Sequence, residues 1–303
     1  MYDSVIVGAG PAGMSAALYL VRFGRKIALV ESMTPGGQVL LTSEVENIPS
    51  IKEIKGYELA DSMKAQLDAY SYDYITEQVT SIEKTSSHFT LHTANGKTLL
   101  AKTVIIASGA RYKRAGIPNE VEFTGKGISY CALCDGNFYR NLPVAVVGGG
   151  NSALEEALYL ARIVKEVHLI HRRDSFKAAR IYVDKAKALP NIIFHTDSVV
   201  EDVLVEDMVK GAIIKNTKTG ATEKLNVEGI FIYVGMQPNT EFIPQELERD
   251  ASGFIVAGLE METNIPGLYV AGDVRVKQYR QIATAMGDGV TAGCSANHYL
   301  ENE

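Results

Sequence analysis

The strongest constraint on this chain is an internal repeat. Val5-Ile6-Val7-Gly8-Ala9-Gly10-Pro11-Ala12-Gly13 returns as Ala145-Val146-Val147-Gly148-Gly149-Gly150-Asn151-Ser152-Ala153, and Ala17-Leu18-Tyr19-Leu20 returns as Ala157-Leu158-Tyr159-Leu160. Both pieces keep one offset, 140 residues. Each copy reads as an apolar strand, a glycine turn, a helix and a second apolar strand, the last at residues 26–31 and 166–171. In such a turn the first glycine permits the tight bend, the second lets the backbone approach a pyrophosphate, and the third allows close helix–strand packing. The phosphates then sit at the helix N-terminus, where free N–H groups and the helix dipole favour anions. One such turn is weak evidence, since a glycine-rich turn in any parallel sheet imitates it. Two copies at constant offset point to two nucleotide-binding units. Ala153 stands where the third glycine of the second copy would be, a variant the pattern tolerates.

The 303 residues exceed what one core usually holds. Further apolar strands ending in glycine occur at Thr103-Val104-Ile105-Ile106-Ala107-Ser108-Gly109, at Gly229-Ile230-Phe231-Ile232-Tyr233-Val234-Gly235 and at Gly267-Leu268-Tyr269-Val270-Ala271-Gly272-Asp273. Residues 72–100 alternate around turn signals such as Asn95-Gly96 and read as β-rich. The expected fold is α/β, with two Rossmann-like, three-layer ββα domains. The first spans 1–113 and 242–303 and is interrupted by the second, 114–241. The crossings near 110–116 and 238–242 are short, loop-like and suited to hinges.

The ends of the second strands discriminate between nucleotides. A carboxylate at Glu31 suits the free ribose 2′-OH of FAD or NAD. The repeat places His171 at the corresponding position, followed by Arg172 and Arg173. Cations there attract the 2′-phosphate of NADPH; at an arbitrary site such a run reads as a solvated loop, but at this position of the repeat the phosphate reading is favoured. Between the two turns lies Cys131-Ala132-Leu133-Cys134-Asp135. A dithiol with an adjacent carboxylate, set between two nucleotide signatures, suggests an electron relay. In CxxC the thiolate attacks and the second cysteine resolves the mixed disulfide. Asp135 would handle the proton, although an aspartate before Gly136 is more often a turn former. A zinc site needs four ligands, and the one other cysteine, Cys294, lies 160 residues beyond Cys134. No metal is expected, and Cys294 reads as a packed residue.

Three cysteines in a chain this long do not make a disulfide-stapled secreted scaffold. No signal segment is read before the first strand, and no run of about 18 apolar residues occurs. The expected location is the cytoplasm, without membrane. The net charge of −6 argues against nucleic acid as a partner.

Together these residues resemble the bacterial-type, low-molecular-weight thioredoxin reductases over essentially the whole chain. Besides the glycine turns and the dithiol, the resemblance rests on Gly36-Gly37-Gln38, Val45-Glu46-Asn47-Ile48-Pro49, His171-Arg172-Arg173-Asp174-Ser175-Phe176-Lys177, Gly272-Asp273 and Arg280-Gln281. It implies a homodimer that binds FAD and NADPH and reduces thioredoxin or a thioredoxin-like protein, with one domain rotating between half-reactions. Cys131 would attack the partner and Cys134 would face the flavin. For FAD it implies the first turn with Glu31, then Gly36, Gly37, Gln38, Thr42 and Asn47. Val79, Gly109, Gly272, Asp273, Arg280, Gln281 and Ile282 complete that set. For NADPH it implies Gly148, Gly150, Asn151, Ser152 and Ala153 with His171, Arg172, Arg173 and Lys177. The chain departs from the family at Leu133, often Thr, and at Lys177, commonly Arg. Lys177 keeps the charge but loses the bidentate fork. It departs also at Asn137, where many relatives carry an aromatic, which leaves the partner's identity open. The flavoprotein of alkyl hydroperoxide reductase is similar but carries an extra redox domain. Ferredoxin–NADP reductase of similar fold lacks the CxxC. A nucleotide-holding redox sensor or metal-binding protein is the rival from another class.

Overall fold

The computed structural model describes residues 1–42 and 44–302. The chain forms two compact units, Met1–Arg111 with Gln237–Glu303, and Tyr112–Met236. Each is a three-layer α/β unit of Rossmann type.

In the first unit, strands Asp73–Thr76, Ile27–Glu31, Tyr2–Val7, Thr98–Ile106 and Leu268–Val270 lie side by side in that order, all parallel. Side chains of a strand alternate between faces, and here both faces are apolar, as a parallel sheet covered on both sides requires. Ile6, Leu29 and Ile105 face the helices Pro11–Arg22, Gly56–Asp68 and Ile282–Asn302. Val5, Val7, Val30 and Ile106 face a third layer. That layer is built by Val79–Lys84 and Phe89–Thr93, which pair antiparallel with one another, and Phe89–Thr93 pairs antiparallel in turn with the N-terminal half of Thr98–Ile106. The β-rich reading of residues 72–100 corresponds to these strands.

The second unit repeats the plan. Strands Ile128–Ser129, Gly229–Tyr233, Pro143–Gly148, Glu166–Ile170 and Ile192–His195 form a parallel sheet in that order. Val144, Val146, Val167 and Leu169 face the helices Asn151–Leu160 and Arg180–Lys187. Ala145, Ile170, Ile230 and Ile232 face an antiparallel sheet of Ser198–Val205, Val209–Asn216 and Thr222–Leu225. The 140-residue offset therefore preserves the faces as well as the letters: Ile6 and Val146 point to helices, Val5 and Ala145 to the third layer.

The chain passes between the units twice. In the first unit the Gly109 carbonyl accepts the Asn239 N–H at 3.0 Å, and Arg111 reaches Asn239 at 2.8 Å and Glu241 at 2.6 Å. In the second, the Lys113 N–H donates to the Gly235 carbonyl at 2.9 Å.

Candidate functional site

The second unit carries the dithiol. Strand Ile128–Ser129 delivers the chain to Cys131, which caps the single-turn helix Ala132–Asp135. Cys131 and Cys134 are joined as a disulfide, with Cα atoms 5.3 Å apart. The Cys131 Sγ accepts the Cys134 N–H at 3.2 Å, so the same helical turn that sets the CxxC spacing offers a donor to the sulfur. Leu133, between the two cysteines in sequence, and Phe138, just beyond Gly136-Asn137, are exposed.

Asp135 follows on the same turn. Its Oδ2 accepts the Ser129 hydroxyl at 2.6 Å, and its Oδ1 is shielded from solvent with no hydrogen-bond partner among the described residues. Burial pushes its carboxyl above the usual range, and the Ser129 hydrogen bond works against that shift. A buried carboxyl with a raised pKa is suited to hold a proton and release it. Behind this turn the Tyr233 hydroxyl accepts the Ala132 N–H at 2.6 Å. Sequence reading missed Ser129 and Tyr233. Each comes from a strand of the parallel sheet, and no spacing in the sequence reveals which strand neighbours the dithiol.

The nucleotide turn of the same unit is clamped to the cationic loop. The Gly149 carbonyl accepts the N–H groups of Lys177 at 2.8 Å and Ala178 at 3.1 Å, and Asn151 Oδ1 accepts the Ala179 N–H at 2.8 Å. Gly150 caps the helix with no side-chain bond, which leaves the first helical N–H groups open, and Ser152 is exposed on that turn. Ala153 is fully buried, and a Cβ on Gly148 would lie 2.8 Å from its methyl. His171 is buried, its ring stacked on Phe176 at 5.0 Å and its Nε2 donating to the Ser175 carbonyl at 3.1 Å. Burial lowers its pKa and keeps it neutral. A Cβ on Gly149 would sit 2.2 Å from the His171 ring. His171 is thus the floor under the turn, and the positive charge belongs to the exposed Arg172, Arg173 and Lys177.

In the first unit, Gly8 holds a φ of +105°, and a Cβ on Gly13 would overlap the Gly8 carbonyl at 1.8 Å, so helix Pro11–Arg22 packs directly on the turn. Ala12 is buried behind the turn. Beyond its chain neighbours, no atom of the described residues lies within 4 Å of a Cβ position on Gly10, and Gly10 caps the helix without a side-chain bond. Glu31 is fixed at the strand end: its carboxylate accepts the N–H groups of Ala9 at 2.8 Å and Met33 at 3.0 Å. The Gly36 N–H donates to the Ala9 carbonyl at 2.8 Å, which lays Gly36 and Gly37 beside the turn, where a Cβ on Gly37 would lie 3.4 Å from the Gly10 Cα. Gln38 donates to the Ala110 carbonyl, and Asn47 donates to Gln281 at 3.2 Å. Thr42 closes the short helix Gly37–Leu41. Gly109 holds a φ of +68°. Val79 has its side chain in the core, and Ile282 opens the last helix.

Asp273 lies in the turn Gly272–Val274. Its Oδ1 is buried without a hydrogen-bond partner among the described residues, and burial raises its pKa. Arg280 stacks on Phe254 at 4.2 Å and donates to the carbonyls of Asp273, Arg275 and Lys277. A buried carboxylate oxygen without a donor, an uncapped helix N-terminus and an open position at Gly10 together fit a dinucleotide that carries both hydroxyl groups and phosphates.

Comparison with known proteins agrees with this chemistry. The family described as pyridine nucleotide-disulphide oxidoreductase matches residues 2–289. The thioredoxin reductase of Helicobacter pylori is 44% identical, with all of both chains covered. That of Treponema pallidum is 41% identical over 99% of this chain and 97% of its own. Among solved structures, the thioredoxin reductase of Streptococcus pyogenes superposes with a TM-score of 0.96 at 44% identity, covering 100% of this chain and 99% of that one. The Lactococcus lactis enzyme in its FR conformation gives 0.69 at 41% identity, with both chains fully covered. The chain belongs to the pyridine nucleotide-disulphide oxidoreductase family, among its thioredoxin reductases.

Proposed function

We propose that this chain moves electrons from NADPH through FAD to Cys131–Cys134 and on to the disulfide of thioredoxin or a thioredoxin-like protein. The observation that carries the reading is the Cys131–Cys134 disulfide with Asp135 on the same turn, one carboxyl oxygen held by Ser129 and the other shielded from solvent. In this reading residues 1–113 and 242–303 bind FAD, and residues 114–241 bind NADPH. Glu31 and Asp273 hold hydroxyl groups of the flavin nucleotide, and the first turn holds its pyrophosphate. Arg172, Arg173 and Lys177 hold the 2′-phosphate. Bound FAD supplies a two-electron carrier between nicotinamide and disulfide.

In the reduced enzyme the Cys131 thiolate attacks one sulfur of the partner disulfide. A Cys131–partner bond forms, the partner S–S bond breaks, and its second sulfur leaves as a thiolate. Cys134 next attacks Cys131 Sγ, which restores the enzyme disulfide and releases the other partner sulfur. Two electrons and two protons pass to the partner, and Asp135 carries the proton of the second displacement. The exposed Leu133 and Phe138 offer an apolar rim for docking. The dithiol and the nicotinamide both need near-contact with the flavin, so rotation of one domain at the two crossings alternates them. The same reading gives a homodimer in the cytoplasm, with neither nucleic acid nor membrane as a partner. The net charge of −6 supports the exclusion of nucleic acid, and no helix among the described residues is long and apolar enough to cross a membrane.

The test supplies NADPH with a panel of oxidised thioredoxin-like proteins and follows absorbance at the nicotinamide band. Wild type should sustain NADPH oxidation only with an oxidised, disulfide-bearing partner present. Cys134→Ser should abolish partner turnover while NADPH still bleaches the flavin. A Cys134→Ser enzyme that reduced the partner at the wild-type rate would remove the dithiol from the electron path.

A further inference from the structure

We propose that Ser129 is a positioning residue for Asp135, and that its hydroxyl confines the exchangeable proton of the acid to Oδ1. The proposal rests on the reading of Asp135 as the proton carrier and deepens it. A hydroxyl has one hydrogen to give. The Ser129 oxygen accepts the Cys131 N–H at 3.0 Å, so that side of the oxygen is taken. Its hydrogen has two candidate acceptors, Asp135 Oδ2 at 2.6 Å and the Cys131 carbonyl at 3.4 Å. The shorter contact, to a carboxylate, is the stronger. Oδ2 is therefore committed as an acceptor, and a proton taken up by Asp135 resides on Oδ1, the oxygen with no other partner among the described residues.

Ser129 is well placed for this role. It is buried and pairs in register with Phe231 of the parallel sheet. One hydroxyl thus ties both the acid and the amide of the attacking cysteine to a rigid strand. In the second displacement Asp135 receives the Cys134 thiol proton on Oδ1 as Cys134 Sγ bonds to Cys131 Sγ. The Cys131–partner bond breaks, the electron pair leaves with the partner sulfur, and that sulfur takes the same proton from Oδ1. A carboxyl free to rotate would present either oxygen; the Ser129 bond removes that freedom.

The hydroxyl also favours the ionised carboxylate, so its loss should move the acid's titration upward. Other titratable groups in electrostatic reach are the phenols of Tyr139 and Tyr233, with Glu228 acting on the first and Glu156 on the second. Of these carboxylates Glu156 titrates near neutrality, so the experiment is run in both the wild-type and the Glu156→Gln background.

Stopped-flow absorbance separates flavin reduction by NADPH from reoxidation by oxidised thioredoxin, each measured from pH 5.5 to 9. In Ser129→Ala, flavin reduction should stay within about twofold of wild type. Reoxidation should slow by about tenfold or more, a fraction of the effect of a positioned acid, and the midpoint of its pH profile should rise. Ser129→Thr, which keeps the hydroxyl, should restore the midpoint. In an Asp135→Asn background, Ser129→Ala should cost nothing further, because coupled residues are non-additive. The proposal falls if the Ser129→Ala profile superimposes on wild type, or if Ser129→Ala slows Asp135→Asn as much as it slows wild type. If Asp135→Asn itself reoxidises like wild type, the acid assignment falls first and Ser129 with it, a result distinct from the other two.

Discussion

At Glu156, burial and charge are in conflict. The residue sits on helix Asn151–Leu160, its Oε2 shielded and without a hydrogen-bond partner among the described residues. Burial, and then the neighbouring Glu155, push its carboxyl up to about 7. An acid with a raised folded-state pKa binds more protons folded than unfolded. Its contribution is fully present below the unfolded value, near 4.5, and is lost as pH rises through about 7. A shift of that size corresponds to about 3 kcal/mol as an upper order of magnitude. Glu156→Gln removes the titration and keeps the shape. It should match wild type in urea unfolding at pH 4.5 and exceed it in midpoint at pH 8; equal midpoints at pH 8 would show that the ionised carboxylate is not penalised. The two positions related by the repeat make the opposite residue-scale point. Glu31 accepts backbone N–H groups at its strand end, whereas His171 turns inward beneath Gly149. One topological position thus serves a charge in one unit and a packing floor in the other.

At the scale of elements, the last helix positions Asp273. Helix Ile282–Asn302 crosses helix Pro11–Arg22 through glycines: a Cβ on Gly289 would lie 2.1 Å from the Ala12 carbonyl oxygen, and one on Gly293 2.9 Å from that of Ala16. This close approach lets Asp288 accept the Gly272 N–H at 3.1 Å while it pairs with Arg275 at 2.8 Å and Lys277 at 2.7 Å. The two cations hold the Asp288 carboxyl below the usual range against its burial. The turn that carries Asp273 is therefore fixed to the helix by charge-assisted hydrogen bonds. Gly289→Val must push the helices apart, because the clashing atom is backbone. The expected cost is about 1–3 kcal/mol, as for other overpacked sites, read as a lower denaturation midpoint. Because the Asp273 turn moves with the helix, the purified variant should also retain less flavin, measured by absorbance near 450 nm. Full flavin occupancy at wild-type stability would show that the helix can shift without disturbing the turn.

On the scale of the whole molecule, the two units differ in how the chain builds them. The second is one continuous segment, Tyr112–Met236, with apolar clusters on both faces of its own sheet. The first needs both chain ends, because strand Leu268–Val270 completes the sheet begun by Tyr2–Val7 and the last helix covers it. A fragment of residues 112–236 should therefore fold alone, show cooperative thermal unfolding and form its Cys131–Cys134 disulfide. Residues 1–111 alone should not fold cooperatively. A fragment 112–236 without a cooperative transition would mean that its cores depend on the rest of the chain.

The sequence by itself determined the repeat, the glycine turns, the faces of the strands and the dithiol, because each of these is set by neighbours within a few positions. A tight turn needs glycine where φ is positive, and alternation on a strand follows from the backbone alone. The tertiary structure alone decided which residues complete the sites. Ser129 meets Asp135, Tyr233 meets Ala132, Asn47 meets Gln281 and Asn151 meets Ala179 only because of strand order, register and helix crossing. It also decided that His171 is buried and neutral while Arg172 and Arg173 stay in solvent. Three adjacent basic letters do not carry that distinction. The ring of His171 stacks on Phe176 with one N–H to satisfy, whereas each guanidinium carries a permanent charge and five N–H donors that burial there would leave unmet.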